Sequence, residues 1–242
     1  MTCICRTHLQ KSQPFPIGGV LATQSDLRLS DLWKIKREYI QRPLYAYVVP
    51  SVEYREGQFL QTGSAPNFQG DQITLCTCKH KDRASPPKYA GPYSDDPWKG
   101  VWVAGLCSVS QFRPRSLFYL MLVEESYPGH RTLWNAVENP SEKSAFRNRH
   151  GDVYEPFDSM IGGEFSPHSY RPHLNGHVHD RTGRAHDIGA IYWNRHPRLL
   201  LGDIASSYLW TRPSIAMRDD DFWGSAHHKQ FEHFGDFLKE LV

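Results

Sequence analysis

Val101-Trp102-Val103-Ala104-Gly105-Leu106-Cys107-Ser108-Val109 and, after a basic turn, Leu117-Phe118-Tyr119-Leu120-Met121-Leu122-Val123 decide how this chain folds. Both runs are almost continuously apolar and short enough to be strands rather than helices. A strand without polar alternation is covered on both faces, so the two read as the buried centre of a sheet. Arg113-Pro114-Arg115 lies in the turn between them. Working outward, residues 44–49, rich in Tyr and Val, read as a strand, and so do residues 73–78. Residues 188–193 and 198–201 read as two short strands. Residues 58–71, with two glycines and a proline, read as a loop, and residues 150–187 are loop-rich. Residues 80–99 form a Pro/Gly/Asp loop longer than the ordinary limit of about 12–15 residues, which suggests a lid or an insertion.

Helices flank these strands. Ser30-Asp31 caps a predicted helix that runs to Gln41, where Arg42-Pro43 stops it. Residues 132–137 and 141–147 read as short helices. A terminal helix is expected over residues 229–241, with Phe231, Phe234, Phe237, Leu238 and Leu241 on its apolar side. The sum is an α+β fold with a mostly antiparallel sheet. Strand, loop, glycine-aromatic strand, basic turn and strand also follow one another as in a small barrel resembling the PUA and ASCH group. That resemblance implies binding of modified or flipped bases.

The chain of 242 residues suits one large domain, or one domain with extensions. The expected division is an N-terminal lead-in and helix over 1–43, a main domain over 44–215, and a C-terminal helix over 216–242 packing on that domain. Aromatic residues make up 13%, which argues for a packed core rather than disorder. The net charge of +2 lacks the strong positive excess of a protein that coats nucleic acid. Five cysteines at these spacings are no disulfide framework and suit a reducing cytoplasm. No run reaches the roughly 18 apolar residues of a membrane span, and no signal-peptide pattern opens the chain. The expectation is a cytoplasmic protein without membrane contact.

Four constellations carry possible chemistry. Arg149-His150-Gly151-Asp152 places a cation, an imidazole and a carboxylate together, with Gly151 permitting a close backbone approach or a sharp turn. His150 and Asp152 suit acid–base work near neutral pH, and Arg149 suits an anion. The bland reading is a turn in which Asp152 bonds its own backbone. Lys79 and Arg83, just after a strand, suit phosphate binding, against a solvated basic loop. The tract from His168 to Asp187, with His173, His177 and His179 as its weak metal candidates, lacks apolar neighbours to fix a ligand geometry, and no metal is expected. Cys3-x-Cys5 and Cys76-x-Cys78 are spaced poorly for zinc and read as small buried residues. The P-loop, Gly-x-Ser-x-Gly, His-Glu-x-x-His, Gly-x-Gly-x-x-Gly and zinc-deaminase patterns are absent, so the enzyme classes they mark drop out.

Several blocks, taken in order, resemble the nucleotide modification associated domain family of the second type. They are Tyr45-Ala46-Tyr47-Val48-Val49, Gly63-Ser64-Ala65-Pro66-Asn67, Ile73-Thr74-Leu75-Cys76-Thr77-Cys78-Lys79 with Arg83, and Gly100-Val101-Trp102-Val103-Ala104-Gly105. The run over 117–123, the His150-Gly151-Asp152 block, Leu199-Leu200-Leu201-Gly202-Asp203 and Ser206-Ser207-Tyr208-Leu209-Trp210 complete the order. The family usually reads Gly-Asp-Trp-Ile where this chain has Gly100-Val101-Trp102-Val103, so no chemistry is assigned to the missing acid. The resemblance spans residues 44–215 and implies a bacterial or phage setting linked to modified DNA bases. The resulting expectation is a DNA base or nucleotide modification enzyme, a transferase first and a hydrolase second. Lys79, His150 and Asp152 are its catalytic candidates, and Arg83, Arg149, Tyr47, Asn67 and Trp102 its ligand contacts. Partner proteins of a DNA-modification system are conceivable, and no cofactor is indicated. The alternative is a non-catalytic PUA-like reader of modified bases, with Trp98, Trp102 and Tyr119 as a stacking cage.

Overall fold

The computed structural model describes residues 13–15, 24–49, 52–63, 65–85, 87–89, 95–108, 112–148, 151–159, 161–172, 186–219 and 228–242. In chain order these form β1 (Gln13–Pro14), α1 (Leu29–Leu32), α2 (Arg37–Ile40), β2 (Leu44–Val48), β3 (Val52–Arg55), β4 (Gln58–Gln61) and β5 (Thr74–Leu75). They continue with α3 (His80–Ala84), β6 (Trp102–Leu106), β7 (Leu117–Tyr127), α4 (His130–Ala136), α5 (Pro140–Arg147), β8 (Leu199–Leu209), β9 (His228–Phe231) and α6 (Phe234–Lys239).

Six strands form a curled, open half-barrel in the order β5-β8-β7-β6-β2-β9, and β1-β4-β3 form a separate small sheet. Within the large sheet only β2 and β6 run parallel; every other neighbouring pair is antiparallel. The fold is α+β, and none of the helices formed by the described residues is long and apolar enough to cross a membrane.

Both faces of the central strands are covered, as their apolar runs require. Side chains alternate across a strand, so β2, β6 and β7 feed two cores. Tyr45, Tyr47, Val103, Tyr119 and Met121 enter the first core, with Phe15, Phe59, Phe68 and Trp98. Leu44, Ala46, Trp102, Ala104, Leu120 and Leu122 enter the second, under α1 and α6. Trp102 is wholly buried there, against Phe234 at 4.8 Å between ring centroids, and its indole N–H donates to the Tyr39 carbonyl at 2.9 Å. Gly105 is needed where it sits opposite Tyr119 in the β6–β7 pairing: a Cβ there would lie 2.1 Å from the Tyr119 ring.

Several elements differ from the sequence expectation. The single helix expected over 30–41 is two separate turns, α1 and α2. Leu32 enters the second core and Ile35, Tyr39 and Ile40 pack at its margin, so the apolar face expected of one helix is delivered by two short turns. The expected loop over 58–71 begins with β4, joined to β3 by a tight turn with positive φ at Glu56 and Gly57. Residues 188–193 are not a strand but the end of a 3-10 turn and the arm of a hairpin. Residues 229–241 start as β9, an edge strand on β2, before α6. The helical spacing of Phe231, Phe234, Phe237 and Leu238 was misleading, because a strand followed by a turn delivers the same side chains to the same core.

Trp102→Ala should cost about 3–5 kcal/mol, the usual loss for a buried tryptophan. Urea unfolding of the variant checks this, and a loss below about 1 kcal/mol would contradict the core placement.

Candidate functional site

The His-Gly-Asp block begins at the end of α5. Asn139 caps this helix by accepting from the Ser141 amide at 3.0 Å, and Pro140 opens it, which needs no amide donor. Past its end, the Gly151 amide donates to the Asn148 carbonyl at 2.7 Å. A Cβ on Gly151 would lie 2.1 Å from the Phe146 carbonyl oxygen, so glycine alone lets the chain cross the helix terminus. The crossing delivers Asp152, fully buried, to the edge of the sheet. Its carboxylate accepts from the Thr74 hydroxyl at 2.5 Å and from the Cys76 amide at 2.7 Å. Burial first, and then the Asp152 charge, push the Cys76 thiol well above its ordinary value. Arg149 and His150 lie outside the described residues.

On the other side of β5, Lys79 turns the chain into α3 with left-handed backbone angles, φ 59° and ψ 39°. Its amine lies 5.2 Å from the centre of the Tyr47 ring, and burial lowers its pKa. The Tyr47 hydroxyl accepts from Tyr119 at 2.8 Å, and burial holds both phenols well above their ordinary range. Arg83, one turn further on, is almost wholly buried. Its guanidinium donates to the carbonyls of Cys78 at 2.6 Å and Cys76 at 2.8 Å, and to that of Arg198. Asn67 pairs with Thr74 through the main chain, and its side-chain oxygen accepts from the Gln69 amide at 2.9 Å. The structure therefore gathers Tyr47, Asn67, Lys79, Arg83 and Asp152 around β5. It does not bring Trp102 to them; the whole sheet lies between.

Beside this group opens a cavity of about 290 Å³ that no sequence motif marked. Its walls include Arg83, Arg195, Arg198, Trp98, Phe165 and His196. Phe165 and His196 stack with parallel planes, 2° apart. The Ala190 carbonyl can only accept, so His196 carries its proton on Nδ1, 3.0 Å away. Arg198 is aimed by Ser126, whose carbonyl and hydroxyl accept from the guanidinium, while Asp96 takes the Ser126 amide and hydroxyl protons. Among the described residues no carboxylate lines this space, so Arg195 and Arg198 face it without an acid in its wall. A narrow lobe of about 20 Å³ adjoins it and adds His80, His130, Cys76 and Glu164. The Tyr154 amide donates to His130 Nδ1 at 3.2 Å, which leaves the proton of that ring on Nε2.

Of the expected stacking cage, Trp98 lines the cavity, Tyr119 is buried in the first core, and Trp102 is across the sheet. The missed residues carried one sequence signal: Arg195-His196-Pro197-Arg198 sets three basic or imidazole side chains around a proline. Among the described residues no three His, Cys, Asp or Glu side chains are placed to hold a metal ion. His173, His177 and His179 lie outside the described residues. Compared with known proteins, no family model, no curated protein and no solved structure matches this chain.

Asp152→Ala strands two buried donors and should cost roughly 2–6 kcal/mol; a melting temperature equal to that of the unchanged protein would contradict the bonding described. Lys79 gives a pH prediction. With its folded pKa below the unfolded 10.5, the folded protein sheds the proton first as pH rises. Stability therefore climbs through the window between the lowered value and 10.5, and the burial cost is fully present below it. Lys79→Met should be more stable than the unchanged protein near neutral pH and lose that advantage above 10.5, as read by denaturant titrations across the range.

Proposed function

We propose that the cavity binds a nucleotide unit, its phosphate among the guanidinium groups and its base against the aromatic wall. One observation carries the reading: Arg195 and Arg198 face one space together with Trp98, Phe165 and His196, with no acid among the described residues of its wall, while Arg83 lies behind them with its guanidinium taken by three carbonyls. Clustered guanidiniums repel one another unless an anion joins them, and planar forks match phosphate oxygens. Flat aromatic walls suit a base. A volume of 290 Å³ is at the lower end of small-ligand sites, roughly 300–1,000 Å³. It accommodates one nucleotide rather than a duplex. The PUA/ASCH likeness and the link to DNA modification belong to this proposal, which the open curled sheet accommodates.

A non-catalytic reader is the form we favour. Both oxygens of Asp152 already accept hydrogen bonds, from the Thr74 hydroxyl and the Cys76 amide, in a fully buried place, which suits a structural role better than proton transfer to a ligand. A base-modifying transferase is the second reading, favoured by the imidazoles of His80, His130 and His196 around the narrow lobe. Nucleoside mass spectrometry of DNA from a host expressing the protein separates the two: a new nucleoside establishes the transferase.

Calorimetric titration with nucleoside 5′-monophosphates and the matching nucleosides tests the cavity. The nucleotides should bind, the nucleosides should bind at least about tenfold more weakly, and Arg195→Ala should weaken the nucleotides by a similar factor. Equal affinity for both ligand sets, or none for either, would overturn the proposal.

A further inference from the structure

The hairpin at the mouth of the cavity has a tip that folding does not explain. Tyr192 and Arg195 exchange two main-chain hydrogen bonds, both 2.9 Å, so Trp193 and Asn194 form a two-residue turn. Both have left-handed backbone angles, φ 50° and 61°. Such turns favour Asn or Gly, and a bulky aromatic residue there is strained. The indole gains little in exchange: Trp193 is 65% exposed, and it meets the adjacent Tyr192 ring in a tilted contact, 6.2 Å between centroids. Its neighbour Ile191 is 59% exposed, and Phe165, at the cavity, is 36% exposed. The arms of the turn are anchored. The Tyr192 ring lies parallel to His80 on α3, 5° between planes, and the other arm carries Arg195 and His196 into the cavity wall. A strained, solvent-facing indole is thus held two residues from a cation that faces an acid-free cavity.

We propose that this turn is a base-stacking finger and that the ligand is a single-stranded nucleic acid segment rather than a free nucleotide. One base occupies the cavity, its phosphate meets Arg195, and the adjacent base stacks on Trp193. Charge complementarity selects this occupant over an apolar protein surface, because Arg195 and Arg198 line the cavity beside Phe165 and Arg195 is two residues from Trp193. Base–aromatic stacking tolerates any sequence and needs only a free face, which an exposed indole supplies. The inference rests on the nucleotide reading of the cavity and extends it to the neighbouring nucleotide.

Fluorescence anisotropy with labelled single-stranded DNA and RNA of two to six nucleotides, competed by a mononucleotide, tests it. Trp193→Gly is the variant of choice, since glycine accepts the left-handed conformation and the hairpin stays formed. The oligonucleotides should bind about tenfold or more tightly than the mononucleotide. Trp193→Gly should remove most of that gain, leave mononucleotide affinity within about twofold, and leave the melting temperature unchanged or raised. Trp193→Phe should keep most of the gain. Oligonucleotide binding no tighter than that of the mononucleotide, or unaffected by Trp193→Gly, would overturn the finger while leaving the cavity reading intact. Absence of mononucleotide binding as well would overturn both. The DNA and RNA arms identify which strand the site takes.

Discussion

The peptide groups of Cys76 are held between two buried charges. Its amide donates to the Asp152 carboxylate, and its carbonyl accepts from the Arg83 guanidinium. Neither charged side chain is exposed to water. A buried ion left alone is prohibitively costly, so each is surrounded by main-chain or hydroxyl partners that replace its hydration. Arg83 takes three carbonyls, from Cys76, Cys78 and Arg198; Asp152 takes the Thr74 hydroxyl and the Cys76 amide. These bonds tie the end of β5 to α3, to the start of β8 and to the segment after α5. Remove either charge and the other loses the strand geometry that satisfies it.

The cavity follows from that arrangement. Arg83 fixes where α3 lies, and the Arg198 carbonyl it holds sets where β8 begins. Arg198 then reaches back to Ser126 on β7, with Asp96 behind it, and its guanidinium becomes part of the wall. The same clip that closes the sheet edge therefore leaves cations around an open space. Lys79 belongs to the buried side of this layout, above the Tyr47–Tyr119 pair, and contributes polarity to the first core.

The central strands were legible because their signal is local. An apolar run bounded by turn residues has few ways to be buried, and β6 and β7 lie inside or across the runs that announced them. The helix α5 was legible too: residues 141–147 read as a short helix, and the structure starts it one residue earlier, at Pro140. The chain after Thr211 was not. Phe231, Phe234 and Phe237 have helical spacing, yet hydrogen bonding to the free edge of β2 draws His228–Phe231 into the sheet. Propensity is a weak prior against an unpaired strand edge. Tyr192-Trp193-Asn194-Arg195 was hidden for a different reason, since an aromatic residue at the first left-handed position contradicts the usual hairpin signal.

By itself, the sequence determined an α+β chain with a sheet centred on two apolar runs, and it singled out Lys79, Arg83, Tyr47, Asn67 and Asp152, which all gather around β5. Residue type and spacing suffice for the sheet and for Lys79, Arg83 and Asp152, because apolar runs and charged residues at their ends are properties of the chain alone; Tyr47 and Asn67 came from the family resemblance. Only the tertiary structure decided what those polar residues meet. Whether Arg83 faces a phosphate or three carbonyls depends on Cys76, Cys78 and Arg198, and the last is far away in the chain. Whether Trp98 and Trp102 share a site depends on which face of the sheet each one enters. Hydrogen-bond partners and sheet faces are set by long-range packing, and no local pattern encodes them.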